Sequence, residues 1–300
     1  MVSCYPTNGM QKVFNDNLHR QTVSLTDSEL LDLCVRSAQN FETLKLFHRG
    51  ESSEIRCTGH RGLLVQKLLP SLNSISSQRK GDIQGTAGLR LDISQALWST
   101  IHLTGLSSCH LARYENYILI TEEIIPPVEV IIKSSLTGTP ARIYHGLLNK
   151  HDRFGNRFEY DKLHSPYVRF GYRNPLYDHA DTSLRDECLP LGLAERLIDS
   201  TAATAYALKT FTVISDFFDQ LQLTVLDMCL ILNEQGNVLC YELSPDNMRI
   251  KSNPDNSSGL MNDFDKDLWR KGHDAETIVQ YWIDLRDRIS GLPATTANSE

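Results

Sequence analysis

Three short stretches place charged and hydroxyl side chains where strands and turns end. In YELSPDNMRI (Tyr241–Ile250) an apolar run stops at Ser244, Pro245 and Asp246, with Glu242 just before them and Arg249 just after. Asp246 is suited to capping its own turn. Glu242, inside an apolar run, needs a partner or a metal once buried. Arg249 is suited to a carboxylate or a phosphate. In VEVIIKSSLTGT (Val128–Thr139) a strand delivers Lys133, and the following loop offers Thr137, Gly138 and Thr139. A cation followed by hydroxyls and a flexible glycine is phosphate-clamp chemistry; an ordinary turn at a surface strand end is the alternative. In DFDKDLWRKG (Asp263–Gly272) acids and bases alternate, which by itself reads as a solvated helix start.

The rest of the chain narrows the chemistry. The histidines fall in no HExxH spacing, and GxSxG, GxGxxG and Walker loops are missing from the sequence. Among them His145 and His179 are the catalytic candidates, with surface or core placement as the simpler reading. Seven cysteines without a CxxC pair fit neither a zinc ribbon nor a disulfide framework. They read as reduced thiols of a cytoplasmic protein, with Cys229 and Cys240 filling core. A net charge of −7 argues against a broad nucleic-acid surface. The first residues have no apolar run of the signal-peptide kind. Glu122, Glu123, Pro126 and Pro127 interrupt the apolar stretches, so no membrane span is expected.

Elements must position these groups, and 300 residues suggest about two domains. Ser24–Phe41 reads as a helix with Thr26 as N-cap and Glu29 in capping-box position. Leu44–Arg49, Glu54–Gly59 and Gly62–Pro70 read as strands, and Ser71–Gly88 as a polar loop. Leu89–Gly105 reads as a helix stopped by Gly105. Asn116–Glu123, Val128–Lys133 and Tyr167–Arg173 read as strands. The strongest helix covers 193–223, with Leu197, Thr201, Thr204, Leu208, Phe211, Ile214, Phe218 and Leu221 at core spacing. Residues 224–243 read as a hairpin turning at Asn233–Asn237, and His273–Ser290 as a closing helix. Helices and strands mix without strict alternation, so the class is α+β.

Taken in order, these segments resemble the SAICAR synthetase family. IPPVEVIIKSSLTGT is similar to the family signature that ends in arginine and Gly-Ser, with Lys133 at the arginine and Thr139 at the serine. YELSPDNMR resembles the family's Asp-Glu-Ile-Ser-Pro-Asp with its following arginine: Glu242, Ser244, Pro245, Asp246 and Arg249 match, and Tyr241 stands at the first aspartate. DFDKDLWRKG resembles Leu-Asp-Lys-Asp-x-Phe-Arg, giving Asp265, Lys266, Asp267 and Arg270. The resemblance covers residues 44–285. It implies a two-lobed, ATP-grasp-like α+β architecture with antiparallel sheets. The implied divisions are an arm and helix over 1–43, a nucleotide lobe over 44–126, and an acceptor-substrate lobe over 127–300.

It further implies an ATP-dependent carboxylate–amine ligase that makes an amide through an acyl phosphate, with ATP and Mg²⁺ as cofactors. Arg249, Lys266 and Arg270 would be catalytic. Lys133, Thr137, Gly138, Thr139, Asp178, Ser244 and Asp246 would bind substrate. Gly50, Ser52, Ser53 and Glu122 would bind nucleotide, and Glu242 and Asp246 the metal. The partners would be a small carboxylic acid and an amino-acid-like amine, with a homo-oligomer expected by analogy. The chain departs from the family pattern on the nucleotide side. Glu51 and Ser53 stand at loop lysines, Cys229 and Ile231 at the lysine and glutamate of Asp-x-Lys-x-Glu-Phe-Gly, and a lysine near Ile120 is lost. The expectation is a divergent ligase acting on a nucleoside-like or heterocyclic acid with aspartate or another amine in specialised metabolism. The alternative is a non-catalytic nucleotide- or small-molecule-binding protein on the same scaffold.

Overall fold

The computed structural model describes residues 25–74, 79–138, 145–147, 150–158, 165–173, 187–252 and 263–292. Its strands, in chain order, are β1 (Leu46–Arg49), β2 (Ser53–Cys57), β3 (Leu63–Leu68), β4 (Ser71–Ser74), β5 (Arg79–Asp82), β6 (Ser107–Ser108), β7 (His110–Tyr114), β8 (Tyr117–Thr121), β9 (Val128–Lys133), β10 (Tyr167–Tyr172), β11 (Glu187–Leu189), β12 (Leu223–Leu230), β13 (Val238–Leu239) and β14 (Met248–Ser252). Helices and antiparallel sheets mix, as the α+β expectation requires. Among the described residues no helix is long and apolar enough to cross a membrane.

The chain forms two compact units. The smaller holds the described residues up to Leu69 together with Cys109–Glu122; the larger holds Pro70–Ser108 and the described residues from Glu123 onward. The sequence boundaries are corrected in two places. The helix Asp27–Gln39 is not a separate arm: its Leu30, Leu33 and Cys34 pack on Leu63 and Leu119 of the smaller unit. The helix Thr86–Leu103 belongs to the larger unit, because it packs on the helices Ser200–Asp219 and Ala275–Ser290.

In the smaller unit one antiparallel sheet runs β1-β2-β3-β8-β7. The Thr26–Glu29 capping box forms as read, with both reciprocal hydrogen bonds present. In the larger unit the main sheet runs β11-β10-β9-β12-β14. On β9, Val128, Val130 and Ile132 are fully buried and alternate with Glu129, Ile131 and Lys133. Alternation sends the two sets to opposite faces. The helix Ser200–Asp219 packs on β9, β10 and β12, so the valine face joins the core and the Lys133 face is left for chemistry.

Three element readings change. The stretch 71–88 is not a loop: β4 and β5 pair, and Leu72 and Ile83 anchor the polar hairpin against Trp269 and Trp282. The hairpin over 224–243 forms only next to its turn, where Leu232 pairs with Leu239 and Cys240 N donates to Ile231 O at 2.9 Å, whereas β12 itself pairs with β9 and β14. Asn233 Oδ1 accepts from the backbone of Asn237 and Val238, and Val238–Leu239 pairs in parallel with β6. Gly236 makes that turn possible: its φ is +68°, and a Cβ there would lie 2.6 Å from Ala203 N. The long helix starts only at Ser200, capped by Asp199. Phe211, Ile214 and Phe218 are buried as read, but Thr201 is exposed and the face is completed by Ala203, Tyr206, Ala207 and Phe217.

Candidate active site

The open face of the main sheet carries a polar row across four strands. Tyr167 on β10 faces Lys133 on β9, Lys133 faces Asp227 on β12, and Asp227 faces Arg249 on β14. Directly opposed residues share a face and lie within reach of each other. The Lys133 ammonium donates to Asp227 Oδ2 and to the Thr137 carbonyl at 3.3 Å. Arg249 Nη1 donates to the same Asp227 oxygen at 2.5 Å, and its Nε to Asp267 Oδ2 at 3.0 Å. Burial alone would raise the Asp227 carboxyl; Arg249 and Lys133 outweigh it and hold it below the usual range. Burial, with Arg249 and Arg169 nearby, draws Lys133 down against the pull of Asp227.

After β9 the loop turns back over this row. The Ser135 and Thr137 hydroxyls share a hydrogen bond of 2.8 Å. Gly138 has φ +74°, and a Cβ there would lie 2.9 Å from three atoms of the Arg249 guanidinium. Only a glycine backbone lies this close on that arginine without displacing it. Lys133, Thr137, Gly138 and Arg249 are therefore brought together. Thr139 and Asp178 lie outside the described residues, as does His179; His145 is exposed on a short turn.

The DFDKDLWRKG stretch is not a solvated face. Asp263 and Asp265 are buried, and Asp267 bridges Arg249 and Arg270, the latter at 2.5 Å. Asp265 accepts from the backbone of Ile250 at 2.8 Å and of Asp267 at 2.6 Å, which fixes the turn to β14. Burial, followed by the Asp267 charge, pushes its carboxyl up to about 7. The sign of the consequence is set. Between pH 4 and 7 the unfolded chain has lost this proton and the folded chain holds it, so stability falls as pH rises through that window. Asp227, Asp246 and Asp267 are shifted down, so their contributions are complete above the ordinary carboxylate pKa and lost only in acid. Urea unfolding from pH 4 to 8 should show the decline, and Asp265→Asn, neutral throughout, should flatten it. Identical profiles for the two proteins would remove the assignment.

Both carboxylate oxygens of Glu242, expected on a metal, are taken by other partners. Its two oxygens accept from Arg90 Nε at 2.7 Å and Nη2 at 3.0 Å, and Oε1 also accepts from the Ser244 hydroxyl at 2.8 Å. Both side chains are out of contact with water. The predicted metal oxygens are thus held by a guanidinium and a hydroxyl. Asp246 lies 2.8 Å from the Lys266 ammonium, and Lys266 with Arg90 holds its carboxyl low against burial. Among the described residues no three His, Cys, Asp or Glu side chains are grouped to hold an ion. The described carboxylates therefore do not form a dedicated metal cage. With these residues Mg²⁺ fits as an ion carried chiefly on phosphate oxygens.

The residues expected to bind nucleotide lie in the smaller unit. Gly50 N donates to Ser53 O at 2.9 Å, closing the turn from β1 to β2, and the Ser52 carbonyl accepts from Leu69 N. Glu122 is exposed and follows β8, its N–H donating to Gly62 O. Ser53 pairs with Leu68 at one end of β3, whereas Thr121 pairs with Leu63 at the other. The two groups are separated by roughly 17 Å of strand, so one ligand touching both must be extended.

Asp227, Asp267, Asp265 and Arg90 organise the site yet were not read as site residues. A signal for Arg90 is present: a lone arginine within the apolar run LRLDISQALW implies a buried acid, and Glu242 is a carboxylate in need of a partner.

A family model described as SAICAR synthetase matches residues 58–283. The bifunctional cordycepin biosynthesis cluster protein 3 of Cordyceps militaris is 26% identical over 296 residues, covering 83% of this chain and 34% of that protein. The chain thus spans about a third of that relative's length. The phosphoribosylaminoimidazole-succinocarboxamide synthase of Anoxybacillus flavithermus is 23% identical over 254 residues, covering 83% of this chain and 98% of that one. A SAICAR synthetase solved in complex with ADP shares the fold at 17% identity with a TM-score of 0.64, covering 84% of this chain and 100% of that one. The chain belongs to the SAICAR synthetase family, whose members are ATP-dependent ligases that form C–N bonds.

Proposed function

We propose that this protein is a divergent ATP-dependent ligase joining a small carboxylic acid, nucleoside-like or heterocyclic, to aspartate or another amine. The observation that supports it is the linked array in which Lys133, Asp227 and Arg249 on one face of the main sheet join Asp267 and Arg270 of the short helix Asp267–Arg270. Cations fixed by carboxylates in a desolvated setting stabilise developing negative charge without reorganising. ATP supplies the phosphoryl group that turns the acid into an acyl phosphate, and Mg²⁺ accompanies it; the amine then displaces phosphate with loss of a proton. In this reading Lys133, Thr137, Gly138 and Asp246, with Thr139 and Asp178, hold the acid and the amine, while Ser244, fully buried with its hydroxyl on Glu242, supports the turn instead of touching substrate. Arg249, Lys266 and Arg270 orient the oxyanions. The smaller unit holds the nucleotide along Gly50, Ser52, Ser53 and Glu122. The name of the Cordyceps relative supports a place in specialised metabolism.

Glu51 and Ser53, in the turn where lysines are expected, favour a second reading: a non-catalytic binding protein. Calorimetric titration of ATP with and without Mg²⁺ separates the two. Mg²⁺-dependent binding, followed by phosphate release with acid and amine, is the expected result. A folded protein that takes up no Mg·ATP would remove the ligase reading.

A further inference from the structure

One cation on the open sheet face is not absorbed by the array. Arg169 on β10 faces Ile131 on β9, one alternation away from the Tyr167–Lys133 rung. It therefore shares a face with Lys133, Asp227 and Arg249 and sits diagonally beside Lys133, at a spacing that long side chains bridge. The two are electrostatically coupled. Yet among the described residues Arg169 has none of the ion pairs that fix the other cations. Its Nε is buried and makes no hydrogen bond among the described residues. Glu129, the acid further along the same face of β9, lies with its carboxylate over Gly171. Lys133 and Arg249 are both committed to Asp227.

A buried guanidinium N–H without an acceptor is costly. Two neighbouring cations on one face repel unless an anion joins them. The partner that meets both conditions is an oxyanion with oxygens in a plane or a tripod, a carboxylate or a phosphate, which a guanidinium fork receives in two-point fashion. We propose that Arg169 is a further substrate-binding residue, seating an oxyanion of the acid substrate together with Lys133. This rests on the ligase reading of the same face and adds to it that the substrate carries this anionic group on the β10 side of Lys133.

The test is calorimetry with inorganic phosphate and with acetate on wild type, Arg169→Gln and Arg169→Lys, alongside Mg·ATP and the thermal midpoint for each. Loss of a charged hydrogen bond weakens binding by about 10- to 100-fold. That loss is expected for Arg169→Gln, with partial recovery in Arg169→Lys and unchanged Mg·ATP binding and midpoint. A loss confined to phosphate identifies a phosphate ester, and one confined to acetate identifies a carboxylate. Wild-type affinity for both anions in Arg169→Gln, or no anion binding by wild type, overturns the proposal. Mg·ATP binding without anion binding removes Arg169 and leaves the ligase reading. Anion binding that depends on Arg169, without Mg·ATP binding, keeps the seat and removes the ligase reading.

Discussion

Arg249→Ala is expected to lower phosphate release by about 100- to 1,000-fold, the range for losing one preorganised charge donor, while the protein stays folded. The assay is phosphate release from Mg·ATP with whichever acid and amine support turnover by wild type. Arg249 is where the two halves of the array meet. It donates to Asp227 from the sheet and to Asp267 from the turn after β14, and Gly138 lies directly over its guanidinium. Removing it breaks the bridge between Lys133 and Arg270, so the remaining cations no longer share one geometry. The fold should survive because neither acid is left without a cation: Asp227 keeps Lys133, and Asp267 keeps Arg270. A stability cost of about 1–3 kcal/mol follows. Turnover within a few-fold of wild type would remove Arg249 from the chemistry. A large loss of stability would instead make it a structural residue.

How much of this was legible in the sequence depended on range. The capping box at Thr26 and Glu29, the strand Val128–Lys133 and the pairing of Lys133 with a hydroxyl-bearing loop are local, and local chemistry reads directly. The row Lys133–Asp227–Arg249 is not local. It needs β9, β12 and β14 in one register, and the hairpin over 224–243, which pairs only next to its turn, gives no hint of those neighbours. The tight turn at Asn233 and the close approach of Gly236 to Ala203 are tertiary facts that override the β-branched pattern. DFDKDLWRKG misled for a related reason. Alternating charge usually marks a solvated face, but here each acid has a cation or a backbone N–H from another segment. The β4–β5 hairpin was hidden by its polar composition. Its order comes from Leu72 and Ile83 in the core and from Arg79 stacked on Trp269, with the guanidinium carbon 3.7 Å from the ring centroid.

The same contrast between range and chemistry separates a charge that acts from a charge that holds. Two cations of the array, Arg249 and Arg270, sit between water and core, whereas Lys133 is buried beside them. Arg249 keeps 16% of its side chain exposed and Arg270 28%, and an incoming anion reaches groups of that kind. Arg90 and Glu242 are at 0% and 1% and are bound to each other at two points. No ligand reaches them without opening the fold.

Single substitutions at that pair, Arg90→Met or Glu242→Gln, are therefore expected to cost about 3–5 kcal/mol each, because either leaves an uncompensated buried group. The Arg90→Met/Glu242→Met double variant should be less destabilised than the sum of Arg90→Met and Glu242→Met, because it removes both charges and leaves apolar volume in their place. Loss of the Ser244 hydroxyl's acceptor keeps it from being fully neutral. Urea unfolding of wild type, the singles and the double gives the interaction term, and repeating it with Mg²⁺ tests the alternative. A structural pair predicts the same term with and without the ion. A metal role for Glu242 predicts that Mg²⁺ stabilises wild type and Arg90→Met but not Glu242→Gln. Strict additivity, or a Mg²⁺ effect confined to proteins that retain Glu242, would overturn the assignment of Glu242 as the partner of Arg90. The expected result makes the SPD turn a rigid support: Arg90 fixes Glu242, Ser94 holds the Leu243 carbonyl at 2.9 Å, and Asn247 closes the turn onto Glu242. Arg249, two residues beyond Asn247, then projects from an anchored backbone into the array.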